Sequence, residues 1–379
     1  LVCWFAGLLV CLVGKNVKMY KLICLIALGA IVMSLSLFAA RDTPHTSRLL
    51  NGEFQNSEIV FHSSLADMWN IVKQSWQAKR AEPVPTKIIP VESITTANLL
   101  KQTNDVLYRL GHSTLLIKLH SKFILIDPIF SERASPVQWA GPKRFHQPPM
   151  SVAQLPNISA VIISHDHYDH LDQETILQLA DKVDYFVTPL KVGEHLRDWG
   201  IAEDKIIELD WWQTRQFSHF KLTATPAQHF SGRGLFDRNE TLWASWVIES
   251  KDTKLFYSGD GGYFSGFKEI GQRLGPFDFT LMETGAYNTL WQEIHMTPEQ
   301  SLQAHLDLKG KYIIPVHNAT FDLAVHDWFE PLERITALAK AQQVNVLTPR
   351  FGEMALLKNP KKTMAWWHQV MAIPPVAVS

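Results

Sequence analysis

The chain has 379 residues, 46% of them hydrophobic and 19% charged, with 36 Lys and Arg against 37 Asp and Glu. That balance excludes a disordered or fibrous chain and argues against a nucleic-acid binder, which needs a basic face to displace counterions from phosphates. All three cysteines (Cys3, Cys11, Cys24) lie in the first 24 residues, so a metal held by the remainder must use His, Asp or Glu.

Residues 1–40 hold two apolar runs, Leu1 to Val13 and Leu22 to Ala40, around Lys15, Lys18 and Lys21. The first is too short for a bilayer, which needs about 20 apolar residues. The second reads as a signal or a transmembrane anchor. The lysines ahead of it place the body outside the cytoplasm, on the periplasmic side in a bacterium. No small residue stands at the outer position of an A-x-A cleavage site, which favours a retained anchor over secretion to the periplasm. Met19 reads as the start, with residues 1–18 an upstream extension.

Residues 41–103 read as an extension. Leu65, Met68, Trp69, Val72 and Trp76 predict one helix around 63–79, followed by a connector with Pro83, Pro85 and Pro90. From 104 the pattern becomes short apolar and β-branched runs, 106–110, 114–119 and 123–126, closed by Asp127-Pro128. The loop 131–150 is long enough to be functional or mobile. A buried strand is predicted over 160–164, then helix 172–181, strand 185–188, helix 190–199 and strand 206–209. A second set of strands follows at 219–225, 242–249, 254–258, 279–282 and 311–316, with helices near 263–274 and 331–342. Thr297-Pro298-Glu299-Gln300 is a capping box that starts a helix over 298–308. Two sets of strands, each with helices, predict an α/β fold of two facing sheets with helices outside, over 104–357, and a C-terminal tail, 358–379.

The chemistry concentrates in Ser164-His165-Asp166-His167-Tyr168-Asp169-His170, directly after the strand at 160–164. His165 and His167, two apart in an extended turn, aim their imidazoles the same way; Asp169 and His170 turn the corner toward a second point. Packing these groups together without a cation costs desolvation and repulsion. Further donors are expected at later strand ends: His229 in Pro226-Ala227-Gln228-His229, Asp260 in a glycine-rich turn, and His317 after Tyr312 to Val316.

The pattern His165, His167, Asp169, His170 matches H-x-H-x-D-H, and from about 104 to 357 the sequence resembles the metallo-β-lactamase superfamily. Within it the chain is similar to the branch that includes N-acyl-phosphatidylethanolamine-hydrolysing phospholipase D and its bacterial relatives. Gly111-His112-Ser113-Thr114, Asp127-Pro128-Ile129-Phe130-Ser131, Arg133-Ala134-Ser135-Pro136, Gly141-Pro142-Lys143-Arg144-Phe145 and Leu242-Trp243-Ala244-Ser245-Trp246 carry that likeness. The resemblance implies an αββα sandwich, here preceded by the N-terminal apolar helix and extension. It implies one divalent cation on His165, His167 and His229, another on Asp169, His170 and His317, and Asp260 bridging them. Two departures leave the ligands intact: Gly261 where the branch usually has Thr, and Asn318 where Trp commonly follows the last histidine. The residues around Glu283 to Tyr287 do not keep the lipase's distinctive pocket.

Two cations about 3.5–4 Å apart share a water as a bridging hydroxide. The expected function is therefore a two-metal hydrolase, a phospholipase D-type phosphodiesterase acting on N-acylated or related phospholipids. The alternatives are a lactonase or other small-ester hydrolase, and a non-catalytic metal-binding envelope regulator. Asp169 is expected to orient the hydroxide, and His295 to contact a phosphate or protonate the leaving alkoxide. Tyr168 and Tyr287 are candidate phenolic donors. Asp127 is expected to orient a ligating imidazole from behind, and Asp166 to stand outside the ligand set. Zinc suits the His and Asp donors best, with manganese or iron also fitting. The expected partners are a phospholipid or small ester and the membrane through the N-terminal segment, with no nucleic acid.

Overall fold

The hydrophobic alternation around residue 106 decides the layering. Val106, Tyr108, Leu116, Phe123 and Leu125 pack on one side, and Leu107, Leu115, Ile117, Ile124 and Ile126 on the other, all buried. A sheet apolar on both faces must be covered twice. The computed structural model describes residues 47–59 and 79–372.

Strands β1 (Arg48–Leu50) and β2 (Glu53–Gln55) form a hairpin. Asn51 and Gly52 at its tip take positive φ, 53° and 90°, as a tight primed turn requires. Helix α1 (Thr96–Lys101), capped by Thr95, leads into β3 (Val106–Arg109), β4 (Leu115–Leu119) and β5 (Lys122–Ile126), an antiparallel meander. β6 (Ala160–Ile162), β7 (Phe186–Pro189) and β8 (Ile206–Leu209) extend it in parallel. The second sheet contains β9 (Thr214–Gln216), β10 (Phe220–Thr225), β11 (Ser245–Ser250), β12 (Lys254–Tyr257), β13 (Phe277–Glu283), β14 (Gly310–Val316) and β15 (Asn345–Val346), in that spatial order. β16 (Met354–Leu356) returns to pair antiparallel with β3, so the first sheet runs β16-β3-β4-β5-β6-β7-β8.

Between the sheets, Leu107, Ile117, Ile126 and Ile162 meet Leu222, Trp246, Ile248, Leu281 and Ile314. Outside the first sheet, Ile176 and Leu179 of α2 (Gln173–Leu179) and Val192 and Leu196 of α3 (Val192–Asp198) cover Leu116, Leu125 and Val161. Outside the second, Phe267 and Ile270 of α4 (Gly266–Arg273), Leu302 of α5 (Pro298–Asp307) and Ile335 of α6 (Glu330–Ala341) cover Val247, Phe256 and Ile313. The result is an α/β sandwich of two mixed sheets with helices on both outer faces. The capping box is present: the Thr297 hydroxyl accepts from Gln300 N–H at the start of α5.

Segments outside the strand-rich body also carry core. Ile89, Trp328, Leu332, Phe351, Trp366 and Trp367 form one buried cluster, which fastens the residues before β3 and after β16 to each other. Apolar spacing did not reveal this cluster because its members come from four separated stretches.

The expectation of a membrane anchor is corrected. Among the described residues no helix is long and apolar enough to cross a membrane, and the apolar run at 22–40 lies outside those residues. The membrane as a partner and the location outside the cytoplasm, both of which depended on that anchor, are withdrawn with it. The helix expected around 63–79 also falls on residues outside the described ones, apart from its last.

Candidate metal centre

The order of the strands sends the chain ends after β3, β5, β6, β10, β12, β13 and β14 to one edge of the sandwich. Each contributes a side chain there. Gly259, just after β12, takes φ of 58°, and a Cβ on it would meet the Ser164 Cβ at 2.9 Å and the Ala244 carbonyl at 3.0 Å. Only glycine lets the Asp260 turn come this close to the histidine turn.

The first group is three imidazoles. His165 Nε2 lies 2.9 Å from His167 Nδ1, and His229 Nε2 lies 3.3 Å from the same atom. Ser164 Oγ is 3.0 Å from His165 Nδ1, and His229 Nδ1 donates to the Ile294 carbonyl at 3.0 Å. Asn56, beyond the hairpin, clamps the His229 backbone, donating to its carbonyl at 2.8 Å and accepting from its N–H at 3.0 Å. Burial and mutual repulsion push His165 and His229 well below the ordinary imidazole range and lower His167 by burial. Burial thus favours the uncharged form of all three rings, and a nitrogen of each converges on one point.

The second group mixes charges. Asp169 Oδ2 stands 3.2 Å from His317 Nε2, 3.2 Å from His112 Nε2 and 3.6 Å from His170 Nε2. Asp260 reaches both sides of it, Oδ1 at 3.1 Å from His170 Nε2 and Oδ2 at 2.8 Å from His317 Nε2. Burial alone lowers His317, but Asp260 and Asp169 outweigh it and lift the imidazole to about 10. His170 is likewise raised well above its ordinary value, against burial, by Asp260, Asp169 and Asp127. Asp169 and Asp260 fall well below the carboxylate range, because the neighbouring histidines overcome their desolvation. Asp127 Oδ2 lies 2.7 Å from His170 Nδ1 and is itself held by the Ser164 hydroxyl at 2.6 Å and the Tyr257 hydroxyl at 2.5 Å. This carboxylate therefore fixes the ring from behind.

These donors fit a pair of cations. His170 Nε2 and Asp260 Oδ1 are buried without a hydrogen-bond partner among the described residues although they are close to each other. Four sets of donors, each within 4.8 Å, assemble here: His165, His167 and His229; His112, Asp169, His170 and His317; Asp260 with His165 and His170; and Asp260 with Glu283, His295 and His317. The chain thus carries clusters for two divalent cations; their donors do not identify the metal.

Sequence reading brought seven residues to this point, and the structure places all seven together. His295 also faces the group: its Nδ1 is hydrogen-bonded to Glu283 and lies 4.0 Å from Asp260 Oδ2. Tyr168 points elsewhere, donating its hydroxyl to the Arg233 carbonyl at 3.0 Å beneath the Arg233 guanidinium. The Tyr287 hydroxyl donates to Glu330 Oε1 at 2.8 Å. Asp166 joins no donor set; it accepts from Gly232 N–H at 2.9 Å and Thr241 Oγ1 at 2.8 Å, tying the turn to the next loop. Sequence reasoning missed His112 and Glu283 as members of the site.

A family model described as the beta-lactamase superfamily domain matches residues 122–318. The chain belongs to the metallo-β-lactamase superfamily. An uncharacterized protein of Mycobacterium tuberculosis is 41% identical over 306 residues, covering 79% of this chain and 80% of that one. The N-acyl-phosphatidylethanolamine-hydrolyzing phospholipase D 1 of Caenorhabditis elegans is 32% identical over 269 residues, 67% of this chain and 75% of that one. Among solved structures, Igni18, a metallo hydrolase from Ignicoccus hospitalis, superposes with a TM-score of 0.51 at 20% identity, covering 67% of this chain and 98% of that one. That last likeness concerns the fold alone. Superfamily membership and the paired donor clusters together make the protein a metal-dependent, two-metal hydrolase.

Proposed function

We propose that the protein hydrolyses a small carboxylic ester or lactone at this two-metal site. The observation that carries the reading is Asp260, whose two oxygens face His170 and His317 while it also shares a donor set with His165. His165, His167 and His229 would hold one cation and Asp169, His170 and His317 the other, with Asp260 within reach of both sets. Zinc is the first choice and manganese or iron the next. Two bound divalent cations supply Lewis acidity and lower the pKa of a water toward about 7.

The chain's own residues do the rest. Asp169 orients the attacking water, with His112 against its carboxylate. Asp127 fixes His170, and the Ile294 carbonyl fixes His229, so each ring offers its other nitrogen inward. His295, on the lip of the group, takes a proton from the attacking water at Nε2 and returns it to the leaving oxygen. Tyr168 is given no proton-transfer role because its hydroxyl is committed to Arg233.

A second reading, cleavage of a phosphodiester, is favoured by the 32% identity to the Caenorhabditis elegans phospholipase D over two thirds of the chain. Zinc-loaded protein incubated with lactones, aryl carboxylic esters, bis(p-nitrophenyl) phosphate and N-acyl-phosphatidylethanolamine vesicles separates the two. Turnover of carboxylic esters or lactones alone supports the first reading; release of a phosphomonoester establishes the second. No turnover of any of them by protein holding two cations rejects both.

A further inference from the structure

Glu283 is the last residue of β13 and is wholly buried. A carboxyl group in such a place costs several kcal/mol unless its oxygens are satisfied. One oxygen is: Oε2 accepts the Gly261 N–H at 2.7 Å. The other, Oε1, meets His295 Nδ1 and stands 3.9 Å from His317 Nδ1. The backbone holds the group in place, since Glu283 N–H donates to Ser258 Oγ at 2.8 Å and its carbonyl accepts from Ser301 Oγ at 2.5 Å. Ser301 belongs to α5, so the carboxyl group is fixed between strand β13 and the helix that follows His295.

His295 has less to hold it. It sits in the turn before α5 with its ring centroid 5.2 Å from that of His229 and 5.6 Å from that of His317. A carboxyl group on Nδ1 sets the ring's orientation, and its ionisation, which burial and Asp260 oppose, decides which nitrogen carries the proton.

We propose that Glu283 is the positioning residue for His295: it accepts a hydrogen bond from Nδ1–H and so leaves Nε2 bare, free to take the proton that the attacking water gives up and return it to the leaving oxygen. The kinetic part of this inference rests on the hydrolytic reading above; the tautomer part does not. The arrangement makes a specific demand on a Gln at this position. Gly261 N–H must be met by an acceptor, so the amide oxygen takes that place and the amide NH2 turns to His295. A donor facing Nδ1 forces Nδ1 to accept, and the ring proton moves to Nε2.

The test uses full-length zinc-loaded protein with ¹⁵N-labelled imidazoles, His295→Gln assigning the signal. In the unsubstituted protein the His295 signal is expected to report Nδ1–H with Nε2 bare. Glu283→Gln is expected to invert this, and Glu283→Ala to give a mixture. Both variants keep two bound zinc ions by elemental analysis. On whichever ester the protein cleaves, Glu283→Gln lowers kcat by about 100-fold, the scale of one general acid–base contribution, with KM changed far less. An unchanged tautomer in Glu283→Gln overturns the proposal, as does loss of zinc matching that of His317→Ala, which makes Glu283 a cation donor instead. If no substrate of the panel is cleaved, the hydrolytic reading falls while the imidazole spectrum still decides the role of Glu283.

Discussion

The two donor groups are built from the same kinds of side chain and behave as opposites without a cation. The group of His165, His167 and His229 is neutral, its rings driven below their ordinary pKa by burial. The group of Asp169, His170, His317 and Asp260 is a closed set of ion pairs, its histidines raised and its carboxylates lowered. A cation entering the first meets rings that burial already keeps uncharged. One entering the second must expel protons from His170 and His317, so folding has stored the second site in a self-compensated form.

The comparison breaks most readily at the residue both groups share. Asp260→Ala is expected to abolish hydrolysis and lower the content of both cations, measured by product assay and elemental analysis; two retained cations and full activity refute a bridging carboxylate. His229→Ala and His317→Ala separate the groups. Each is expected to leave about one cation of the two that the fold of site describes, and a loss of both from either variant denies their independence. Asp127→Asn touches only one side: with the ring of His170 no longer held by a carboxylate, the second cation's affinity falls by about 10- to 100-fold, while the first is unchanged in a chelator competition.

Two smaller effects concern stability. Trp246 Nε1 donates to the Ile163 carbonyl at 3.1 Å, joining the second sheet to the strand that delivers the histidine turn. Trp246→Phe leaves that buried carbonyl unpaired and should cost about 1–3 kcal/mol in urea unfolding. The pH effect follows from His317, whose pKa rises from 6.5 to about 10 in the metal-free fold. A raised imidazole contributes stability that is complete below its unfolded value and lost as pH climbs through the folded one. Metal-free protein should therefore lose thermal stability between about pH 6.5 and 10, and the cation-loaded form much less; equal slopes for the two forms contradict the ion-paired description.

The sequence made the first group legible because His165 and His167 are adjacent in a single turn, and spacing alone converges them. His229, Asp260 and His317 could be found because each ends a recognisable apolar run. His112 also follows an apolar run, 106–110, and stands in the stretch Gly111-His112-Ser113-Thr114, but it is a lone histidine in the turn between β3 and β4, and only the sheet order brings it to Asp169. Glu283 was hidden for a different reason. A carboxylate at the end of Phe277–Glu283 reads as a strand leaving the core, whereas the structure buries it under the Gly261 turn. Asn56 was beyond reach, since nothing local links a hairpin near the start of the chain to a backbone clamp on His229. The layers themselves were readable from alternation, but β15, with two residues, and β9, exposed along its length, offer too little pattern to declare themselves.

The pairing of β16 with β3 bears on how the molecule is made. The edge of the first sheet stays open while nearly all of the domain is synthesised, and its last neighbour arrives only with residues 354–356. An unpaired hydrophobic edge is a template for wrong partners. Chains released before that strand emerges should precipitate rather than accumulate as half-built hydrolases, so a ribosome-stalling series across this boundary ought to show solubility appearing in a single late step.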